Sequence, residues 1–292
     1  MRVVFKENEC KCRFKQDVVF NQKTLDFINT IMKQKEVQLI SEEGEILASV
    51  PVSPSGIGEW CFFGGCLPYV DSKWFCNDIK YLKKLDEMMR EDVPLDIVNV
   101  IVEEENDFKD DYGLGLVQTN LLEDFYLSYP MKKRKSIKRT MRTKAKGVEY
   151  KVGITVEETR EVMTYWFEHY ENHLLEVYMN LFQFWVDEGS MYVNGIYVDG
   201  ELVGADFILL AEIKGEKIAC GILTPWYKER EELLDKEIGR FAIVKACDWL
   251  KQMGYDWFSI GDLSYDYKRY WSHRVLETKV VGLGRWEWRE DD

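Results

Sequence analysis

The clearest signal along the chain is an alternation of apolar and polar positions that twice breaks at an acidic residue followed by glycine. Glu43-Gly44-Glu45 precedes Ile46-Leu47-Ala48-Ser49, and Asp199-Gly200-Glu201 precedes Leu202-Val203-Gly204-Ala205. Such a step between apolar runs is hairpin chemistry, because glycine adopts the positive φ that a tight turn demands. A glycine-interrupted apolar run follows each hairpin, Trp60 to Leu67 and Ile218 to Leu223, and then a proline, Pro68 or Pro225. Apolar residues at three-to-four spacing next predict helices from about Asp78 to Arg90 and from about Leu233 to Met253. The second carries Ile238, Phe241, Ala242, Lys245 and Trp249 along one face. Strands follow, opening at Asp96-Ile-Val-Asn-Val and Asp256-Trp-Phe-Ser-Ile. The pairs Gly44 and Gly200, Pro68 and Pro225, Asp96 and Asp256 keep a nearly constant separation, so the pattern predicts two copies of a hairpin, strand, helix, strand unit.

The segment between the copies reads differently. Tyr112 to Gln118 has strand character, Asn120 is placed to cap a helix through Phe125, and Pro130 breaks the pattern. From Lys132 to Lys146 the chain then carries Lys132, Lys133, Arg134, Lys135, Lys138, Arg139, Arg142, Lys144 and Lys146 with no acidic residue, in a protein of net charge −13. On a helix Arg134, Lys138 and Arg142 share one face, Lys135 and Arg139 lie beside them, and Ile137 and Met141 form a thin apolar stripe that Gly147 ends. The run reads either as a solvated face or as a dock for a polyanion. The expected organisation is an N-terminal domain over 1–111, a linking strand and basic helix over 112–147, and a C-terminal domain over 148–292.

Composition narrows the class. A hydrophobic fraction of 46% with 14% aromatics excludes a disordered or low-complexity chain. The acidic balance argues against nucleic acid or anionic membrane being wrapped by the whole surface. Seven scattered cysteines do not form a disulfide framework, and Cys10-x-Cys12 has no second pair to complete a tetrahedral site, so no metal is expected. With no apolar run of signal-peptide or membrane-span length, the sequence predicts a soluble, cytoplasmic protein. It does not fix the oligomeric state.

The stretch from Asp124-Phe-Tyr-Leu-Ser-Tyr-Pro-Met-Lys-Lys-Arg-Lys-Ser-Ile-Lys-Arg to Gly147-Val148-Glu149-Tyr150, the Val198 to Leu210 hairpin, the Leu233 to Gly254 helix and Tyr267-Lys268-Arg269-Tyr270-Trp271 together resemble the FemAB-like group of the GNAT acyltransferase superfamily. The resemblance implies an α/β fold of two tandem GNAT-like domains, each a mixed, mostly antiparallel sheet flanked by helices. It also implies direct transfer of an acyl or aminoacyl group from acyl-CoA or aminoacyl-tRNA to an amine, without a metal. In such a site the acyl carbonyl lies where the sheet splays, which here places backbone N–H groups of Cys220, Gly221, Ile222 and Leu223 opposite Ile260 to Leu263 as oxyanion donors.

Asp262, Tyr265, Tyr267, Lys268 and Arg269 follow a strand's carboxyl end, where α/β sheets collect chemistry. Tyr267 or Tyr265 is the expected acid for the leaving group and Asp262 the acceptor of the amine proton. Lys268 and Arg269, with Arg134, Lys138, Arg139 and Arg142 on the basic helix, are the expected phosphate contacts. Two departures stand out. The family's R/Q-x-x-G-x-G/A phosphate cradle is absent, Thr224 to Asp235 instead bringing Glu229, Glu231 and Glu232 to a helix start, and Ser272 replaces a frequent glycine. The departures support a second reading, a catalytically silent GNAT-like module that docks RNA or another polyanion on the basic helix.

Three weaker motifs remain. His169 and His173 are spaced as two metal ligands on a helix drawn from Thr155 to His173, with no third ligand near in sequence. Pro54-Ser-Gly-Ile-Gly58 shares only its glycines with a phosphate loop, and Cys220 reads as a core residue because no adjacent His supplies a base.

Overall fold

The computed structural model describes residues 1–7, 10–17, 19–32, 34–54, 60–62, 70–89, 100–101, 111–119, 129–170, 172, 174–213, 215–263 and 266–279. The chain divides into two compact units, Met1–Leu114 with Leu276–Asp292, and Gly115–Val275. Strands β1 (Arg2–Glu7), β2 (Lys35–Ile40), β3 (Ile46–Pro54), β4 (Trp60–Phe62), β5 (Val70–Asp71) and β6 (Val100–Ile101), with helices α1 (Gln22–Ile31) and α2 (Ile79–Met89), precede β7 (Asp111–Gln118). There follow α3 (Met131–Arg139), β8 (Val148–Val152), α4 (Arg160–His169), α5 (Leu175–Asp187), β9 (Met191–Val198), β10 (Glu201–Ile213) and β11 (Glu216–Leu223). The chain continues through α6 (Glu231–Asp235), α7 (Ile238–Gln252), β12 (Trp257–Asp262), α8 (Asp266–Trp271) and β13 (Arg274–Lys279).

In the first unit β1 to β4 form an antiparallel sheet in chain order. The β2–β3 hairpin turns where the sequence predicted it, with Gly44 at φ +91°. Both faces of β2 are buried. Val37 and Leu39 supply the apolar face, while Gln34, Glu36 and Gln38 line the other. Glu36 is satisfied there by Arg13, whose Nε and Nη2 donate at 2.5 and 2.8 Å, and by the Ser49 hydroxyl. The Trp74 indole stacks on Phe20 at 4.8 Å and donates to Asp17.

In the second unit the strands of a mixed sheet are ordered β7-β12-β11-β10-β9-β8. Neighbours from β8 to β11 run antiparallel, and β11 and β12 run parallel. The β9–β10 turn uses Asp199 at φ 51° and Gly200 at φ 85°, as the acidic-Gly signal implied. One sheet face packs on α7 and the basic helix through Ile208, Ala219, Val244, Leu250, Phe258 and Ile137. The other receives α5, with Phe182 against Phe207 at 4.6 Å between centroids.

The described elements run β2–β3, β4, β5, α2, β6 in the first unit and β9–β10, β11, α6, α7, β12 in the second. Among the described ladders, however, β4 pairs with β3 and not with β6.

Three helix readings are corrected. The helix drawn from Leu233 to Met253 is two helices, interrupted by Glu237 in the left-handed conformation at φ 55°. The buried face of α7 follows Ile238, Phe241, Ala242, Ala246 and Leu250, whereas Lys245 and Trp249 are only half-buried. The Thr155 to His173 helix is shorter, beginning as a 3-10 turn at Glu157 and ending at His169. The basic segment is α3 followed by a wider π turn over Thr140–Lys144, and it ends at Gly147 with φ +79°. The Asn120 to Phe125 helix and the Ser55 to Gly58 loop lie outside the described residues.

A Cβ at Gly204 would stand 2.9 Å from the Trp226 Cβ and 3.0 Å from the Pro225 carbonyl oxygen, so a side chain there displaces the chain leaving β11. Gly204→Ala is expected to lower unfolding free energy by about 1–3 kcal/mol in urea titrations. Gly239→Ala, with nothing within 4 Å of its Cβ position, should leave it unchanged or raise it by up to about 1 kcal/mol.

Candidate functional site

Strand β11 is held on one edge and released on the other. Toward β12 its paired positions are Ile218 with Trp257, Ala219 with Phe258 and Cys220 with Ser259, and the ladder ends there. Toward β10 it stays paired to its last residue, Phe207 facing Leu223 and Ile208 facing Gly221. Ile222 is therefore an extra residue in the ladder, a bulge that twists the strand and re-aims its peptide groups. Gly221 permits the parting, since a Cβ there would lie 3.0 Å from the Phe258 ring. Gly221, Ile222, Leu223 and Thr224 are half-buried where Cys220 is fully buried, so the wedge opens where the ladder stops. Backbone N–H groups freed from a ladder are the donors an oxyanion needs.

The opposite wall is β12. Gly261 at φ +85° ends its regular course, and the Lys268 Nζ lies 3.1 Å from where a Cβ on Gly261 would stand. That contact brings the α8 lysine to the mouth of the parted strands. Tyr267 is 56% exposed and Arg269 is exposed, while Trp271 is buried. Ser272, where a glycine was expected, donates to the Lys268 carbonyl at 2.8 Å and fills the space that the absent side chain of Gly115 leaves. The backbone of Asp262 closes β12; its side chain and all of Tyr265 lie outside the described residues. The Cys220 thiol is buried, donates to the Ile218 carbonyl at 3.7 Å, and is held well above the usual thiol range by burial. It is a core cysteine.

A polar network that the sequence reading passed over stands beside the bulge. Asp206 on β10 accepts from the Tyr150 hydroxyl at 2.9 Å, and the Thr224 side chain hydrogen-bonds the same carboxyl. Asn194 donates to the Tyr150 oxygen at 3.1 Å and accepts from the Gly153 amide. These bonds tie β8, β9 and β10 to the residue after β11. Burial pushes Asp206 up to about 6, against the lowering effect of its two hydroxyl partners. A signal was present, because Asp206 and Asn194 are single polar residues inside apolar strands.

The basic helix is fastened to the α6–α7 junction. The Thr140 hydroxyl donates to the Glu237 carboxylate, with Arg240 at 3.3 Å and Arg139 at 3.8 Å, and Lys144 stands 4.0 Å from Asp235. The N-terminus of α7 thus carries the chain's own carboxylate, which suits the helix dipole and repels a phosphate. Glu231 and Glu232, expected at the start of the main helix, open the short α6 instead. Of the predicted phosphate contacts, Arg142 is exposed, Arg134 and Lys138 are half-buried, and Arg139 is engaged by Glu237. His169 faces Glu229 at 3.6 Å, and His173 lies outside the described residues.

No family model and no curated sequence matches the chain. Solved structures do. L-PGS from Bacillus licheniformis superposes with TM-score 0.52 at 12% identity, covering 90% of this chain and 91% of its own. FemX gives 0.50 at 8%, covering 92% of each. A GCN5-related glucosamine N-acetyltransferase region of a fungal multi-domain β-N-acetylglucosaminidase gives 0.54 at 11%, covering 96% of this chain and 38% of that one. These likenesses show the fold, that of the GCN5-related N-acetyltransferases. They are too distant in sequence to carry an activity.

Because Asp206 holds its proton more tightly folded than unfolded, the native state binds more protons between the ordinary value of 3.8 and about 6, and stability falls as pH rises through that window. Asp206→Asn cannot titrate. Its unfolding free energy should lack this decline, which amounts to about 3 kcal/mol. Urea titrations of both proteins from pH 4 to pH 7 measure the difference; parallel profiles would remove Asp206 as its source.

Proposed function

We propose that the chain is an acyltransferase that moves an acyl or aminoacyl group onto an amine by direct attack in the wedge between β11 and β12. The parting of that ladder after Cys220 and Ser259 is the observation that carries the reading. The acceptor nitrogen attacks the donor carbonyl, whose oxygen receives the N–H groups of the Gly221 to Leu223 edge as charge develops. A C–N bond forms and the bond from the acyl carbon to the donor's oxygen or sulfur breaks. Asp262 takes the amine proton directly or through a water, and Tyr267 or Tyr265 protonates the leaving group. Lys268, beside Gly261, and Arg269 hold the donor's phosphate.

Between the two donors, the carboxylate of Glu237 at the N-terminus of α7 disfavours acyl-CoA, whose pyrophosphate needs free N–H groups there. The exposed cations Lys132, Lys135 and Arg142 suit the longer anionic backbone of aminoacyl-tRNA. The same closed helix terminus favours a second reading, a GNAT-fold module that holds a polyanion without transferring anything.

Radiolabelled aminoacyl-tRNA and acyl-CoA, each supplied with a panel of primary amines, separate the readings. Amide product from aminoacyl-tRNA is expected, with kcat/KM reduced about 10- to 100-fold in Lys268→Ala. Binding of tRNA without product would establish the silent module instead, and full turnover by Lys268→Ala would remove that lysine from the site.

A further inference from the structure

Lys133 is the member of the basic run that does not behave like the others. It is 7% exposed on α3, and its ammonium faces only aromatic rings, 3.5 Å from the Tyr129 centroid, 4.2 Å from Tyr270 and 5.5 Å from Trp271. Among the described residues it has no hydrogen bond and no ion pair. The box is rigid. Tyr129 donates to the Trp271 carbonyl at 2.6 Å and packs against His273 at 4.2 Å. His273 accepts the Gln118 amide on Nδ1, which leaves Nε2 as a buried donor without an acceptor.

Cation–π contact replaces part of an ammonium's hydration but offers no acceptor for its three N–H groups. Buried charges in folded proteins are paired, so an amine buried among donors and rings carries its charge fully only when a ligand supplies the anion. Two further features say which anion. Tyr270 and Tyr267, one helical turn apart on α8, are 43% and 56% exposed, and the Tyr270 ring is one of the three that meet the Lys133 ammonium. An exposed ring with a cation held against it is the core of a nucleotide platform, the ring stacking a base while the cation holds its phosphate.

We infer that Lys133 is an anion seat, in which the phosphate of a nucleotide stacked on Tyr270 pairs with the Lys133 ammonium. The inference rests on the donor reading above, and both donor types end in a phosphorylated adenosine. Desolvation lowers free Lys133 from 10.5 to about 7, so the amine is largely neutral at pH 8. A phosphate drawn in beside it restores the charge, and binding then takes up a proton.

Calorimetry at pH 8 in two buffers of different ionisation enthalpy reads this directly, with 3′,5′-ADP representing the CoA end and CpCpA the tRNA end. Wild-type protein should take up at least about half a proton per probe bound. Lys133→Met should lose the uptake and about tenfold or more in affinity, while Lys251→Met, at an exposed lysine on α7, keeps both. Lys133→Arg, permanently charged, should bind without uptake, and because it keeps the cation it guards against a Lys133→Met protein that misfolds. Uptake with CpCpA alone assigns the tRNA end, and with 3′,5′-ADP alone the CoA end. Failure of both probes to bind, binding without uptake in the wild type, or unchanged uptake in Lys133→Arg would overturn the seat. Binding with uptake but no acyl transfer would leave the seat standing and retire the catalytic reading.

Discussion

A strand that gives up its ladder on one edge must be anchored on the other, and β11 meets that constraint at its exit. The Ala205 amide donates to the Pro225 carbonyl, Gly204 bridges Trp226, and Thr224 is tied to Asp206. All three attachments lead to β10 and none to β12, so the two parallel strands diverge without leaving the chain after β11 loose. The bulge at Ile222 is the local consequence, and Gly221 against Phe258 is the residue choice that permits it. A wedge made this way is preorganised. Its walls are set by buried hydrogen bonds, and transition-state stabilisation by fixed dipoles requires that.

Charge is organised around the same region. The basic helix contributes to both the fold and the surface, and magnitudes decide which part does which. Arg139 with Glu237 and Lys144 with Asp235 are long and partly exposed pairs, of the kind that contributes about 0–1 kcal/mol. Burial of Ile137, Ala145 and Thr140 fastens the helix far more strongly. The pairs instead set the electrostatic character of the α7 terminus, where Glu237 closes a helix end that would otherwise attract anions. On the outer side Lys132, Lys135 and Arg142 are exposed. The result is a positive surface displaced from the helix terminus and carried by side chains alone, in a chain whose net charge is −13.

The hairpins were legible because Gly44 and Gly200 announce a positive φ that few residues adopt, and because apolar strands flank them. The strand at 111–118, the α2 helix and the ends of β11 and β12 were legible for similar local reasons. The break at Glu237 was not. Gly239 is the one nearby residue that disfavours a continuous helix, and the carboxylate of the left-handed Glu237 is held by Thr140 and Arg139 from a distance in sequence and by Arg240 three residues on. Asp206 was visible as a polar residue in an apolar run, yet its partners Tyr150 and Thr224 come from strands that periodicity places but does not register. Lys133 was hidden by its company, since among nine cations only the rings of Tyr129, Tyr270 and Trp271 single one out.

Lys133, Lys151 and Lys228 in the second unit all sit over aromatic rings, Lys151 at 4.0 Å from the Tyr197 centroid, and burial separates Lys133 from the other two. Lys228 lies 4.4 Å from the Trp166 centroid and 4.9 Å from that of Tyr170, at a surface where Tyr170 is 50% exposed. Water still reaches that ammonium, so the contact adds about 0.5–1 kcal/mol of ordinary stabilisation. Lys133 makes shorter contacts with more rings but has lost its water, and the balance reverses because no set of π faces matches the hydration of a charge. Its box also joins α3 to the end of α8.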